Sequence, residues 1–252
     1  EDVRYEYDEK RERLRRSERR FWRDERDSQP GLSQHIFTYD ADGVLGRVDH
    51  QCLDEQGLPR PETNRLEYLR LADGETLETI EARVQEQLKQ ALAAAMNKIP
   101  RDEKLYCLLL CYPNEDMDCG WPPFLVWGRE SYRREVLKRG EEVTGYLWAP
   151  DEIRAEASDA GDEYWLEDQA LEDLCLLHRQ LMKGEDSNAS AIRVLENTLR
   201  PLARMVRQAG IPVTDDFVVA FADNTGEIDP LEAMEACLPA RLWARLQERG
   251  YV

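Results

Sequence analysis

Apolar residues recur along this chain with two different periods. Leu77, Ile80, Val84, Leu88, Ala91 and Ala95 fall three or four apart, which predicts a helix over Glu75–Asn97 that Pro100 ends. Leu166, Ala170, Leu174, Leu177 and Leu181 predict a second over Glu163–Met182. Ile192, Leu195, Leu199, Leu202 and Val206 predict a third over Ser190–Ala209, kinked near Pro201. Two unbroken apolar runs, Leu105–Tyr112 and Phe217–Phe221, read as buried strands, with Pro122–Trp127 as a strand partner. His35–Cys52 reads as a hairpin about Asp40-Ala41-Asp42-Gly43, Leu66–Leu71 as a third strand there and Val143–Trp148 as another extended piece. Glu130–Arg139 reads as a short helix closed by Gly140. Asp229-Pro230-Leu231-Glu232 supplies a cap, a Pro at the first helical position and an acid at the third, so helices run on to Arg249 with a break at Pro239. The elements are mixed and do not strictly alternate. The expected class is α+β, a mixed or antiparallel sheet packed against several helices.

The first 27 residues break this pattern. They hold ten acidic and ten basic residues, so their charges cancel, and Tyr5, Leu14, Phe21 and Trp22 give only a thin apolar face. Glu/Arg pairs at helical spacing predict a solvated surface helix. Ser28–Ser33, with Pro30-Gly31, reads as a linker. The expected organisation is a charged helix and linker over 1–30 and one α+β domain over 31–252. The chain starts at Glu1 and not at Met, which leaves room for a segment upstream.

Charge then narrows the function. The formal charge is −18, which argues against a nucleic-acid-binding surface and against docking on anionic membranes. No apolar run reaches the roughly 18 residues of a membrane span. Six dispersed cysteines without a CxxC pair point to reduced thiols and the cytoplasm. The charge is also uneven. Residues 151–186 carry −9 and residues 213–235 carry −7, leaving the rest nearly balanced. Such windows, with aromatics beside them, suit a surface that steers and holds a basic protein. The candidate partner-binding residues are Asp162, Glu163, Trp165, Glu167 and Asp168 in the first window. In the second they are Asp215, Asp216, Asp223 and Glu227.

Catalytic chemistry is poorly represented. There is no GxSxG, no phosphate loop and no GxGxxG, and no cofactor is expected. Cys175 and His178 lie one helical turn apart and read as a core thiol beside a surface imidazole rather than a dyad. Cys107, Cys111 and Cys119 have the wrong spacing for a zinc knuckle. Asp223–Glu227 holds a fragment of a calcium loop and reads better as a strand-to-helix turn. The acids Asp215, Asp216, Asp223, Glu227 and Asp229 keep one enzymatic alternative open, a metal-dependent hydrolase.

Tyr146-Leu147-Trp148-Ala149-Pro150-Asp151, the two long helices after it, Phe217–Asp223 and the closing Leu238–Tyr251 helix resemble a bacterial family of unknown function. Its members occur beside polymorphic toxins as immunity proteins. The resemblance spans about residues 75–252. It implies a cytoplasmic protein that neutralises a cognate toxin by non-covalent occlusion, and it carries over no catalytic residue. A basic, nuclease-like toxin fits the acidic windows, whose carboxylates would lie where phosphates otherwise bind.

Overall fold

The computed structural model describes residues 2–252 apart from 11–12, 22–30, 40, 42, 44, 55, 68–73, 115–116, 141, 157–161 and 186–187. The chain forms two units, Glu1–Ala72 and Asp73–Val252, so the division falls well beyond residue 30.

The first unit is an antiparallel five-stranded meander: β1 (Asp2–Tyr7), β2 (Leu14–Phe21), β3 (Gly31–Tyr39), β4 (Leu45–Leu53) and β5 (Pro59–Glu67), in that order across the sheet. The charged segment expected as a helix is therefore two strands. Its apolar residues Val3, Tyr5 and Tyr7 alternate with Asp2, Arg4 and Glu6, the period of a strand. Its opposite charges meet across strands instead of along a helix: Arg4 stands opposite Glu18, and Glu6 opposite Arg16. The hairpin expected over His35–Cys52 is present as β3 and β4, with His35 opposite His50 and their rings 4.7 Å apart. The third strand ends where it was expected to begin, and 68–71 lie outside the described residues, as do parts of the 28–33 linker and the 40–43 turn.

The second unit begins with α1 (Leu77–Ala95), capped by Thr76 and Thr79 in a reciprocal box. It buries Ile80, Val84, Leu88, Ala91 and Ala95 of the expected stripe and Leu92 besides, while Leu77 is half-buried. Then come β6 (Leu105–Tyr112), α2 (Met117–Gly120), β7 (Phe124–Arg129) and α3 (Glu130–Arg139), which Gly140 ends at φ 73°. Val143–Trp148, expected as extended, is a helical turn, α4. Val143, Tyr146 and Leu147 sit at helical spacing, and six residues are too few for the period to stand out. After α5 (Pro150–Glu156) comes β8 (Glu163–Tyr164), so α6 (Gln169–Glu185) starts later than expected. It buries Leu171, Cys175, Leu177, His178 and Met182, so Leu177 of the expected stripe is buried while Leu174 and Leu181 are only partly so and Ala170 is exposed. The chain closes with α7 (Ala189–Gln208), which runs on through Pro201, then β9 (Val213–Asp223), α8 (Pro230–Cys237) and α9 (Ala240–Glu248).

The sheet order is β8-β7-β6-β9, with β6 and β9 parallel and the other pairs antiparallel. The fold is thus α+β, with a mixed sheet among helices. Every residue of β6 is buried, as its unbroken apolar run requires. One core gathers Tyr106, Leu109, Cys111, Phe124, Val126 and Val218 of the sheet with Val136, Leu147, Trp148, Ile153, Met234 and Leu246 of α3, α4, α5, α8 and α9. Arg133 of α3 is buried within it. Its guanidinium lies 5.3 Å from the Tyr106 ring and 5.0 Å from that of Tyr251, and 3.0 Å from the Asp216 carboxylate.

Candidate partner-docking surface

β8 is short, but its pairing fixes the place of the next residue. Leu125 stands opposite Tyr164 and Val126 opposite Glu163, so one step further the antiparallel register sets Trp165 against Phe124. The two rings are stacked, 4.2 Å apart with planes at 12°. Phe124 is 1% exposed and anchored in the core, whereas Trp165 is 48% exposed. Among the described residues of the second unit, Trp165 alone is a large apolar side chain this open. Arg154 of α5 lies 5.5 Å from the Phe124 ring and pairs with Asp151 and, at 2.9 Å, with Glu163. The exposed indole therefore stands between Glu163, half-buried and paired with Arg154, and Glu167, exposed two residues on.

The remaining expected residues have other duties. Asp162 is 2% exposed and accepts hydrogen bonds from Trp127 Nε1 at 2.8 Å and Arg129 Nε at 2.8 Å, so its charge is matched internally. Asp168 caps α6 by accepting from Leu171 N at 3.0 Å, and also accepts from Gln87 Nε2. Asp216 is fully buried between Arg133 and Arg249, while Asp215 is exposed and pairs with Arg249 at 3.0 Å. Asp223 is buried and accepts from the backbone of Asn114, Thr225, Glu227 and Ile228 and from the Thr225 hydroxyl. Burial alone would raise the Asp223 pKa, but these donors, led by Asn114 N, hold it below the usual carboxylate range. The stretch Asp223–Glu227 is the strand-to-helix turn, and Asp229 caps α8 through Leu231 N.

Topology separates the second window. Asp216 and Asp223 lie seven residues apart on β9, roughly 23 Å at about 3.3 Å per residue. Asp215 and Asp216 thus lie at the far end of β9 from Asp223, Glu227 and Asp229 and do not converge with them. Among the described residues no group of three or more His, Cys, Asp or Glu is arranged to hold a metal. The Asp223 end is also the Trp165 end, because Cys111 of β6 pairs with both Phe124 and Ala222. Three strand spacings, roughly 14 Å, separate the edge that carries Trp165 from the edge that carries the exposed Glu227 and Asp229.

Cys107, Cys111, Cys175 and His178 lie in the interior. Cys107 and Cys111 are fully buried and four residues apart on β6, roughly 13 Å, too far to share an ion. Burial pushes the Cys107 thiol up to about 12 and raises that of Cys111. Nothing is described of the Cys119 side chain. His178, expected at the surface, is fully buried. Its Nε2 lies 2.7 Å from Ser190 Oγ, which donates to Glu81 Oε2 at 2.6 Å, and Arg193 clamps Glu81. Serine stands between acid and imidazole, so the acid does not orient the imidazole as in a nucleophile triad. Glu81 lies 109 residues before Ser190, a link no local sequence pattern signals. The same holds for Phe124 and Arg154 beneath Trp165, where the only cue was an aromatic next to Pro122-Pro123.

None of the protein families, curated proteins or solved structures compared with this chain matches it.

Proposed function

We propose that this chain is a non-catalytic binding protein that engages a basic protein partner through the Trp165 surface. The observation that carries the proposal is the 48% exposure of Trp165 on a rigid Phe124 platform. Exposed, preorganised tryptophans anchor interfaces at low entropic cost. Carboxylates around such an anchor favour a basic partner and speed its capture. The specific form we favour is a cytoplasmic immunity protein that occludes a basic, nuclease-like bacterial toxin, in keeping with the resemblance over residues 75–252. Free thiols at Cys52, Cys107, Cys111, Cys175 and Cys237 suit a reducing compartment, and no helix described is long and apolar enough to cross a membrane.

The test is affinity capture of the tagged chain from its native cells beside a Trp165→Ala variant of equal thermal stability. A stoichiometric basic protein, toxic when expressed alone, retained by the first and lost by the second, is the expected result. Equal recovery of the same partner by both chains would remove Trp165 from the interface and the proposal with it.

A further inference from the structure

Among the described residues the sheet of the first unit has two edges, β1 and β5, and they are built differently. β5 carries Pro59 and Pro61, which lack the N–H that an added strand would need. β1 carries no proline and alternates strictly. Val3, Tyr5 and Tyr7 share one face and are 38%, 60% and 49% exposed. Arg4 and Glu6 on the other face are exposed as well. An open aromatic edge, its register to β2 shifting only between Glu6 and Tyr7, is a template for another strand, and natural sheets usually guard against it.

We propose that β1 is the dimer seam of this protein, pairing antiparallel with β1 of a second copy about a two-fold axis at Tyr5. The strand is self-complementary in that register. Tyr5 meets Tyr5 of the second copy, Val3 meets Tyr7, and Arg4 meets Glu6, each contact occurring twice as a two-fold interface demands. The charge pattern continues across the seam. Arg16 already stands opposite Glu6 and Glu18 opposite Arg4 within one copy. The row therefore reads Arg16 and Glu6, then Arg4 and Glu18 of the second copy, with signs alternating throughout. Moving the axis to Arg4 or Glu6 sets like charge on like charge, and parallel pairing in register does so at both positions. The paired aromatics would cover the surface that Tyr5 and Tyr7 leave open. The seam uses residues of the first unit, and the Trp165 surface residues of the second.

The experiment is light-scattering mass across a concentration series, with cysteine scanning along β1. The wild-type chain is expected at twice its 29.4 kDa mass at micromolar concentration. Tyr5→Lys places two ammonium groups at the axis and is expected to return the chain to its single mass with an unchanged circular dichroism spectrum. Under mild oxidation Tyr5→Cys is expected to cross-link to itself well above the wild-type background. Val3→Cys and Tyr7→Cys are expected to cross-link when mixed and not separately. A wild-type chain of single mass throughout would overturn the proposal. So would a dimer that Tyr5→Lys leaves intact, or an Arg4→Cys variant that self-links as readily as Tyr5→Cys.

Discussion

Trp165 lies flat on Phe124, 4.2 Å between ring centres, yet one ring is open to solvent and the other is sealed in the core. The pair divides binding from stability. Trp165→Ala removes an exposed ring and one stacking contact worth about 0.5–1.5 kcal/mol, so the fold survives. Partner affinity should fall by about 2 kcal/mol or more, roughly thirtyfold, if the ring is the anchor. Phe124→Ala should do the reverse in order of events, losing about 3–5 kcal/mol of folding stability. Titration calorimetry with the captured partner and urea unfolding separate the two variants. A Trp165→Ala chain that unfolds as readily as Phe124→Ala would make Trp165 a core residue and not an anchor.

Asp215 and Asp216 are neighbours with opposite fates, since both touch Arg249 but only Asp216 also meets the buried Arg133. Asp216→Ala leaves a buried guanidinium with Glu130 as its remaining carboxylate, 2.6 Å away. The expected cost is about 3 kcal/mol, the lower end for breaking a buried pair. Asp215→Ala touches an exposed carboxylate and should leave the urea midpoint where it is. Equal midpoints for the two variants would contradict this account of the buried pair.

The second unit was largely legible in the sequence, and in the first the hairpin over His35–Cys52 was legible while the two strands before it were not, for a physical reason. Helix α1 and strands β6 and β9 bury long apolar stripes or runs, so their periods are strong. In β1 and β2 charged residues of opposite sign stand across strands, as Arg4 opposite Glu18, and pair along one strand, as Arg16 with Glu18, while the same interleaved charges also fit helical spacing. The candidate surface was legible only in part. Trp165, Glu163 and Glu167 lie within one stretch. Whether an acid faces out depends on its cation, and Arg129, Arg133 and Arg249 come to Asp162 and Asp216 from elements distant in sequence.

Asp223 ties the end of β9 to two loops, accepting from Asn114 before α2 and from Thr225, Glu227 and Ile228 before α8. Asp223→Ala leaves these amides without their acceptor. Hydrogen bonds to a charged group contribute about 1.5–3 kcal/mol each, so a loss of roughly 3 kcal/mol or more is expected. Amide exchange at Thr225, Glu227 and Ile228 should quicken most, while exchange in β6 follows global stability alone. The folded pKa is depressed, so this stabilisation is present above the ordinary carboxylate range and is lost as pH falls through the lower folded value. Unchanged exchange at all three amides in the alanine variant would show that the turn holds without the carboxylate.

His178 makes the second unit sensitive to mild acid. Burial lowers its pKa from 6.5 to about 4, with Arg193 adding to the effect and Glu81 opposing it. The group is a base whose folded value lies below its unfolded one. Between about pH 4 and 6.5 the unfolded chain therefore binds the extra proton, and stability rises with pH across that window. Above it the imidazole is neutral in both states and its contribution is flat. Across the whole window the change is on the order of 3 kcal/mol. Five of the six tryptophans, Trp121, Trp127, Trp148, Trp165 and Trp243, lie in the second unit and only Trp22 in the first, so tryptophan fluorescence tracks chiefly the unfolding of the second. Urea midpoints measured this way should climb from pH 4 to 6.5 in the wild type. In His178→Gln, which cannot take up the proton, they should be lower at neutral pH and nearly level across the window. A slope in that variant equal to the wild type's would place the sensitivity on other groups and leave His178 a neutral filler between α6 and α7.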